Sequence, residues 1–176
     1  GHPHAHLQRV QSLVERQKRL LDPLDGVAVL DARGDWLIYS KGQVPPGTNS
    51  AHRPYFVHHR DTRSNDVLIS PPLRNPFTGE WGITVSRRLE DDKGRFAGVV
   101  VIGLGLQNFL RAFGTIALPD TGTIGLSTNT GQMLVLYPYR EKYVGLDFSK
   151  SVNFQRHFSG TSGTASFRSS VDGTKR

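Results

Sequence analysis

The chain contains 176 residues, of which 36% are hydrophobic, and it carries a formal net charge of +7. This length is typical of one ordinary domain or two small ones, and nine Phe, five Tyr and two Trp provide enough apolar surface for a core. The absence of cysteine excludes disulfides, thiolate metal sites and a cysteine nucleophile. No apolar run reaches the roughly 18 residues that a membrane-spanning helix needs.

The positive charge is compatible with three kinds of partner, namely nucleic acid, an anionic membrane surface or a small anionic ligand. The 22 Lys and Arg are spread along the chain rather than gathered in one block. We therefore expect no nucleic-acid partner. Residues 1–6 contain three histidines but show no signal peptide, and they are interpreted as a tag or linker remnant rather than a metal site.

Residues 6–24 predict an amphipathic helix, because their apolar residues recur at steps of three, four and seven. This stripe consists of Leu7, Val10, Val14, Leu21 and Leu24. Pro23 marks the end of regular helix. The simpler interpretation is a helix that packs on its own domain; the alternative adds a homodimer contact, because the stripe is partly heptad-like.

Two short strands over 27–31 and 36–40 predict a β-hairpin, because Gly34 lies in the tight connection between them. A loop over 41–52, rich in turn residues, follows the hairpin. The segment 53–59 is predicted to form a short helix.

Three further strands and a second short helix complete the first part of the chain. Their predicted ranges are 67–70, 81–89, 96–106 and 108–113. Pro71-Pro72 ends the first of these strands by removing backbone donors. The second strand alternates with period two, which places Trp81 and Arg87 on one face and Ser86 on the other. The third is almost continuously apolar, and its Gly103-Leu104-Gly105 indicates a position that backbone or ligand approaches closely.

The pattern of hairpin, helix and strand then begins again. The predicted ranges are 123–127 and 132–136 for a second hairpin, 154–158 for a helix and 164–171 for a strand. Two strands of the first unit have no counterpart before the sequence ends. We therefore expect a second, truncated unit.

In this order of motifs, the stretch from Arg53 to Leu106 resembles the membrane-distal half of a double Cache (PAS-like) extracytoplasmic sensor domain, in the version fused to diguanylate cyclases and histidine kinases. The resemblance implies an α/β (α+β) fold with a long N-terminal helix and tandem PAS-like antiparallel-sheet lobes. It implies a stalk helix over 1–24, a membrane-distal lobe over 25–118 and a partial membrane-proximal lobe over 119–176.

The resemblance also implies a role and a location. The domain is expected to be a non-enzymatic sensor in the periplasm, part of an inner-membrane protein whose anchors lie outside the sequence. It would signal to a cytoplasmic diguanylate cyclase or histidine kinase domain. No catalytic residue, metal or cofactor is expected in it.

In the members of the family that bind amino acids, an Arg and an aromatic residue in the helix after the first hairpin hold the ligand carboxylate. Arg53 and Tyr55 match that pair, with Tyr where Trp is frequent. The chemistry fits, because Arg offers a bidentate fork and an aromatic wall excludes water. Trp81 is expected to add to the wall, His59 and Ser70 to exchange hydrogen bonds with the ligand, and Arg87 to add charge.

Amino-acid-binding members of the family also use acidic and tyrosyl groups for the ligand ammonium, at positions where this chain has Leu73, Asn75 and Gly103. Without a carboxylate there, an ammonium would be desolvated at high cost. The sequence therefore favours a small organic anion or carboxylate over an α-amino acid.

The cluster His58-His59-Arg60-Asp61 supports an alternative, a metal-dependent or acid–base enzyme that uses His58, His59 and Asp61. Adjacent histidines on a helix point in different directions, so only one of them could share a site with Asp61. No spaced metal-ligand motif appears elsewhere in the chain. The sensor hypothesis is therefore preferred.

Overall fold

A computed structural model of the chain describes residues 24–151 and some positions outside that range. These are Arg9, Ser12, Arg16, Phe154, Gln155, Ser166, Arg168, Ser169 and 172–175. The predicted stalk helix over 6–24, the helix over 154–158 and the strand over 164–171 therefore lie largely outside the described residues. Within the described part, no helix is long and apolar enough to cross a membrane. The chain divides into two compact units, Gly1–Gly105 and Leu106–Arg176.

In residues 24–105, the first unit is built on an antiparallel sheet of six strands with one short helix. The strands are β1 (Gly26–Asp31), β2 (Trp36–Tyr39), β3 (Leu68–Ile69), β4 (Leu73–Arg74), β5 (Trp81–Glu90) and β6 (Phe96–Gly105), and helix α1 spans Pro54–Asp61. The sheet order is β2-β1-β6-β5-β3, and β4 also pairs with β5. The continuously apolar β6 thus lies in the middle of the sheet, as its sequence predicts.

Two details of the first unit differ from the sequence-based prediction. Pro71-Pro72 interrupts the strand but does not end its path along β5, because β5 is long enough to pair with both pieces. Ile69 pairs with Val85 in β3, and Leu73 pairs with Gly82 in β4. The strand predicted over 96–106 ends one residue early, since Leu106 begins a helix.

Helix α1 begins where Pro54 occupies the first turn, a position that needs no backbone donor. Basic residues in its last turn suit the negative end of the helix dipole. Tyr55 and Phe56 are buried against the sheet, where Phe56 packs edge-on against Phe96 with ring centroids 5.5 Å apart. The helix therefore anchors Arg53, the residue just before it, beside the sheet.

The second unit contains helix α2 (Leu106–Phe113), an antiparallel hairpin of β7 (Ile124–Ser127) and β8 (Met133–Tyr137), and a 3₁₀ turn over Glu141–Tyr143. The hairpin agrees with the predicted second hairpin. Met133, Leu136 and Tyr143 form its small core, with Phe148 packed against them.

Candidate ligand-binding site

A cavity of about 50 Å³ lies in the first unit, between the sheet, the start of α1 and the loop that joins β4 to β5. Its polar lining consists of Asp25, Arg53, Asn75 and Thr84, and its apolar lining includes four aromatic rings. The volume corresponds to roughly four water-sized groups, which suits a small molecule.

Three aromatic rings pack on one another to form one wall of the cavity. The ring centroids of Trp36, Tyr39 and Phe77 lie 5.0–5.5 Å apart. Trp36 Nε1 donates a hydrogen bond to Ser50 Oγ at 2.9 Å. Phe77 is brought to the wall by a turn in which Asn75 Oδ1 accepts the Phe77 backbone N–H at 2.8 Å. The wall is therefore held by local hydrogen bonds rather than by ring packing alone.

Arg53 and Tyr55 line the same cavity. The Arg53 guanidinium donates through Nη1 to the Arg74 carbonyl at 3.3 Å. No other described residue accepts a hydrogen bond from this guanidinium, so its remaining N–H groups can face a ligand. Tyr55 is 4% exposed. Burial raises the pKa of Tyr55, while hydrogen bonding to Ser50 and the charge of Arg53 lower it. Tyr55 therefore remains a neutral hydroxyl beside a permanent cation.

Asp25 and Thr84 bring oxygen atoms to the cavity that have no partner among the described residues. The Thr84 Oγ1 atom is buried, and none of these residues forms a hydrogen bond with it. Among the described residues, the Asp25 carboxylate has neither a hydrogen bond nor an ion pair, although its backbone N–H donates to the Gly103 carbonyl at 2.9 Å. Burial, followed by the negative charge of Asp25, raises the pKa of Tyr39. The wall tyrosine is therefore also neutral.

The structure places the other four predicted site residues outside this cavity lining. His59 Nε2 and Ser86 Oγ are 3.0 Å apart in the interior. Ser70 Oγ donates to the Pro71 carbonyl and accepts the Thr84 backbone N–H, both at 2.8 Å. His59 Nε2 and Ser70 Oγ are therefore engaged within the fold.

Trp81 and Arg87 lie on the opposite face of β5 from Thr84. Trp81 is half-buried, with the Arg74 guanidinium 4.2 Å from its ring centroid, and Arg87 is exposed. The face that the cavity uses carries Gly82 and Thr84. Alternation predicts the two faces of β5 but not which one points inward. The polar face can be buried because Ser86 forms hydrogen bonds with α1 and β3, and Arg88 donates to α1.

Sequence reasoning missed Asp25, Thr84 and the aromatic wall as site residues. Asp25 precedes the first strand in an unremarkable turn, and Phe77 lies in a loop, so neither carries a periodic signal. The glycine pair in β6 was the available clue, because it indicated a close approach to that strand.

His58, His59 and Asp61, the residues of the alternative enzyme hypothesis, do not share one site. His58 is exposed, His59 bonds Ser86, and Asp61 pairs with Arg60 at 2.7 Å. Within the described ranges, no three His, Asp or Glu side chains are grouped so that they could hold a metal ion.

No protein-family profile matches the chain. The chain is 30% identical to the extracellular domain of rpHK1S-Z16, a protein assigned as a histidine kinase, with a TM-score of 0.79 over 99% of this chain and 70% of that one. The fold and this likeness define a PAS-like sensor module. The chain belongs to the family of double Cache extracytoplasmic sensor domains.

Other relatives are chemoreceptors. A methyl-accepting chemotaxis protein of Bacillus thuringiensis subsp. konkukian is 23% identical over 120 residues, which are 68% of this chain and 18% of that protein. The fold also matches the ligand-binding domain of PctB of Pseudomonas aeruginosa, in complex with L-Gln (19% identity, TM-score 0.63), over 81% of this chain and 56% of that one. The ligand-binding domain of the chemoreceptor CtaA of Pseudomonas fluorescens, in complex with L-serine, matches with 24% identity and a TM-score of 0.61. The match covers 85% of this chain and 60% of that one.

These comparisons confirm three predictions. The fold is α+β with PAS-like antiparallel sheets. The domain is a sensor module located outside the cytoplasm, and its relatives are sensor domains rather than catalytic ones. The enzyme alternative at His58, His59 and Asp61 finds no support. The lobe boundaries and the diguanylate cyclase partner stay predictions.

Proposed function

We propose that the cavity of the first unit binds a small carboxylate-bearing molecule, and that Arg53 and Tyr55 hold its carboxylate. The observation that carries this proposal is the meeting of a guanidinium and a neutral tyrosine hydroxyl in one small cavity walled by aromatic rings. A carboxylate accepts two parallel N–H bonds from Arg, and a low-dielectric wall strengthens them. The ligands of PctB and CtaA in the matching structures are also carboxylates.

The parent protein is proposed to be a membrane-anchored receptor with a cytoplasmic output domain of the histidine kinase or diguanylate cyclase type. Ligand binding would favour one of two states of the sensor, by as much as the ligand's affinities for the two states differ. A homodimer through the N-terminal helix is the proposed arrangement of the receptor. The likeness to the extracellular domain of rpHK1S-Z16 supports the kinase version.

A thermal-shift screen of organic acids and amino acids on the 176-residue chain tests the site. A ligand at a hundredfold excess over its Kd stabilises the folded state by about 2.7 kcal/mol. Arg53→Lys is expected to weaken binding at least tenfold, because an ammonium cannot replace the fork. Arg87→Lys, on the opposite face of β5, is the matched control. Equal loss in both variants, or none in either, would move the site away from Arg53.

A further inference from the structure

The Asp25 carboxylate occupies space that two glycines of β6 leave open. A Cβ atom at position 105 would lie 2.6 and 2.8 Å from the two Asp25 carboxylate oxygens, and one at position 103 would lie 3.2 Å from the Asp25 Cβ. Any side chain at either position would therefore push Asp25 away. The glycines noted in the sequence give room to an acidic side chain that arrives from the segment before β1.

The Thr84 hydroxyl adds a second unsatisfied group to the same cavity. Thr84 is 7% exposed, and its Oγ1 has no partner. Buried polar groups without partners are rare and destabilise the fold, so a ligand that supplies the missing hydrogen bond recovers that cost. Thr84 pairs with Gly103 of β6, so no side chain from that strand covers it.

Opposite charges in one small cavity match a dipolar ligand better than a simple anion. A carboxylate ligand alone would satisfy Arg53 but would meet the negative charge of Asp25 in a partly dehydrated space, where like charges repel strongly. An ammonium group would satisfy Asp25 and could donate to Thr84.

We propose that Asp25 and Thr84 form an ammonium subsite, so that the cavity selects a small zwitterion such as an amino acid over an organic acid of the same skeleton. This inference rests on the proposed function, in which Arg53 and Tyr55 hold the carboxylate. It reverses the sequence-based argument against an amino acid, which depended on the missing acids at Leu73, Asn75 and Gly103. Asp25 supplies a carboxylate beside Gly103 from the segment before β1.

Matched ligand pairs test the subsite by calorimetry on the 176-residue chain. The pairs are glycine with acetate, L-alanine with propionate, L-serine with 3-hydroxypropionate and L-valine with 3-methylbutanoate. We expect at least one amino acid to bind about tenfold or more tightly than its partner acid. Asp25→Asn is expected to weaken the amino acid at least tenfold and to tighten the acid, because it removes an attraction for one and a repulsion for the other.

The variant is expected to fold, because the Asp25 contacts within the fold use its backbone N–H and carbonyl. Asp92→Asn, at an exposed turn, is the control and should change neither affinity. Thr84→Val, which keeps the side-chain shape, should weaken the amino acid severalfold and leave the acid unchanged.

The outcomes separate the two proposals. Equal affinity within every pair, or amino-acid binding that Asp25→Asn leaves intact, overturns the ammonium subsite. The carboxylate site stands in that case if Arg53→Lys still weakens binding at least tenfold. Amino-acid binding that Asp25→Asn weakens but Arg53→Lys does not would support the subsite and overturn the carboxylate assignment. Failure of all eight compounds to bind overturns both.

Discussion

One face of β5 carries polar residues along most of its length. The two ends of this face differ in whether the polar side chains have hydrogen-bond partners. At the end nearer residue 90, every polar group of the face finds a partner. Ser86 meets His59, and the Arg88 guanidinium bonds Glu90 Oε1 at 2.9 Å and also donates to the His59 carbonyl. The cross-strand neighbours there are Val101 and Val99, which fill the space.

At the end nearer residue 81, the same face is left open. Gly82 and Thr84 pair with Gly105 and Gly103, which fill no space, and the Thr84 hydroxyl and the Asp25 carboxylate have no partner in the described part of the chain. The comparison separates two uses of buried polarity. Groups that are satisfied hold the fold together, and groups left unsatisfied beside a cavity are available to a ligand.

The largest expected change in stability comes from comparing alanine substitutions of two glycines, one near each end of β6. Gly98 has φ +149°, and a Cβ there would lie 2.0 Å from the Leu30 carbonyl oxygen. Gly98→Ala should therefore lower the free energy of unfolding by about 4 kcal/mol, because the backbone itself must move. At position 105 the three atoms nearest to an added Cβ all belong to the end of the Asp25 side chain, which can move aside. Gly105→Ala should therefore cost little stability but abolish ligand binding. Urea unfolding and calorimetry measure the two effects, and similar losses of stability would contradict the distinction.

The next effect concerns the end of β5 near residue 90, where Ser86, Arg88 and Glu90 have partners, which we call the satisfied end. The Arg88 side chain is 6% exposed, and Arg88→Met leaves the Glu90 carboxylate and the His59 carbonyl without their donor. Breaking such a buried pair is expected to cost about 3 kcal/mol. Arg87→Met, one residue earlier and exposed, should change stability by less than about 0.5 kcal/mol. A small loss in Arg88→Met would mean that this network contributes little to the fold.

The sequence predicts the two central strands, β5 and β6, better than it predicts which face of β5 is buried. Alternation in β5 and the continuous apolar character of β6 are strong local signals, so the two central strands were predicted almost to the residue. Which face of β5 points inward depends on partners distant in sequence, such as His59 and Ser70, and no periodicity reports them. Arg53 and Tyr55 belong to a local motif at a helix start, so the sequence predicts them as site residues. Asp25 and Phe77 belong to no such motif and were missed.

Two substitutions that each remove a hydroxyl from β5 are expected to change stability by smaller amounts and in opposite directions. Ser86→Ala removes a satisfied hydroxyl and leaves His59 Nε2 without its partner, so unfolding free energy should fall by about 1 kcal/mol. Thr84→Val removes an unsatisfied hydroxyl, so the unliganded protein should become more stable by about 1 kcal/mol. Thermal and urea unfolding without ligand measure both. A loss of stability in Thr84→Val would show that the Thr84 hydroxyl has a hydrogen-bond partner in solution. It would also argue against the proposed ammonium subsite.

The smallest expected effect is the pH dependence that His59 gives to the satisfied end. Burial, the charge of His58 and the charge of Arg88 lower the pKa of His59 below the ordinary value of 6.5, while its contact with Ser86 opposes them. The folded protein therefore binds this proton less readily than the unfolded chain does. The stability that results is complete above about pH 6.5 and is lost as pH falls toward the lowered value.

Urea unfolding at about pH 7.5 and about pH 5.5 measures this loss. The pKa values of Asp61 and Asp91 are lowered by their contacts with Arg60 and Arg95, so these carboxylates stay ionised across the window. His59→Gln is expected to be less stable than the wild type at the higher pH but to lose less on acidification. His52→Gln, at an exposed position, should keep the full pH dependence. An unchanged pH dependence in His59→Gln would mean that His59 titrates alike in the folded and unfolded states, so that the satisfied end depends on its hydrogen bonds and not on a neutral imidazole.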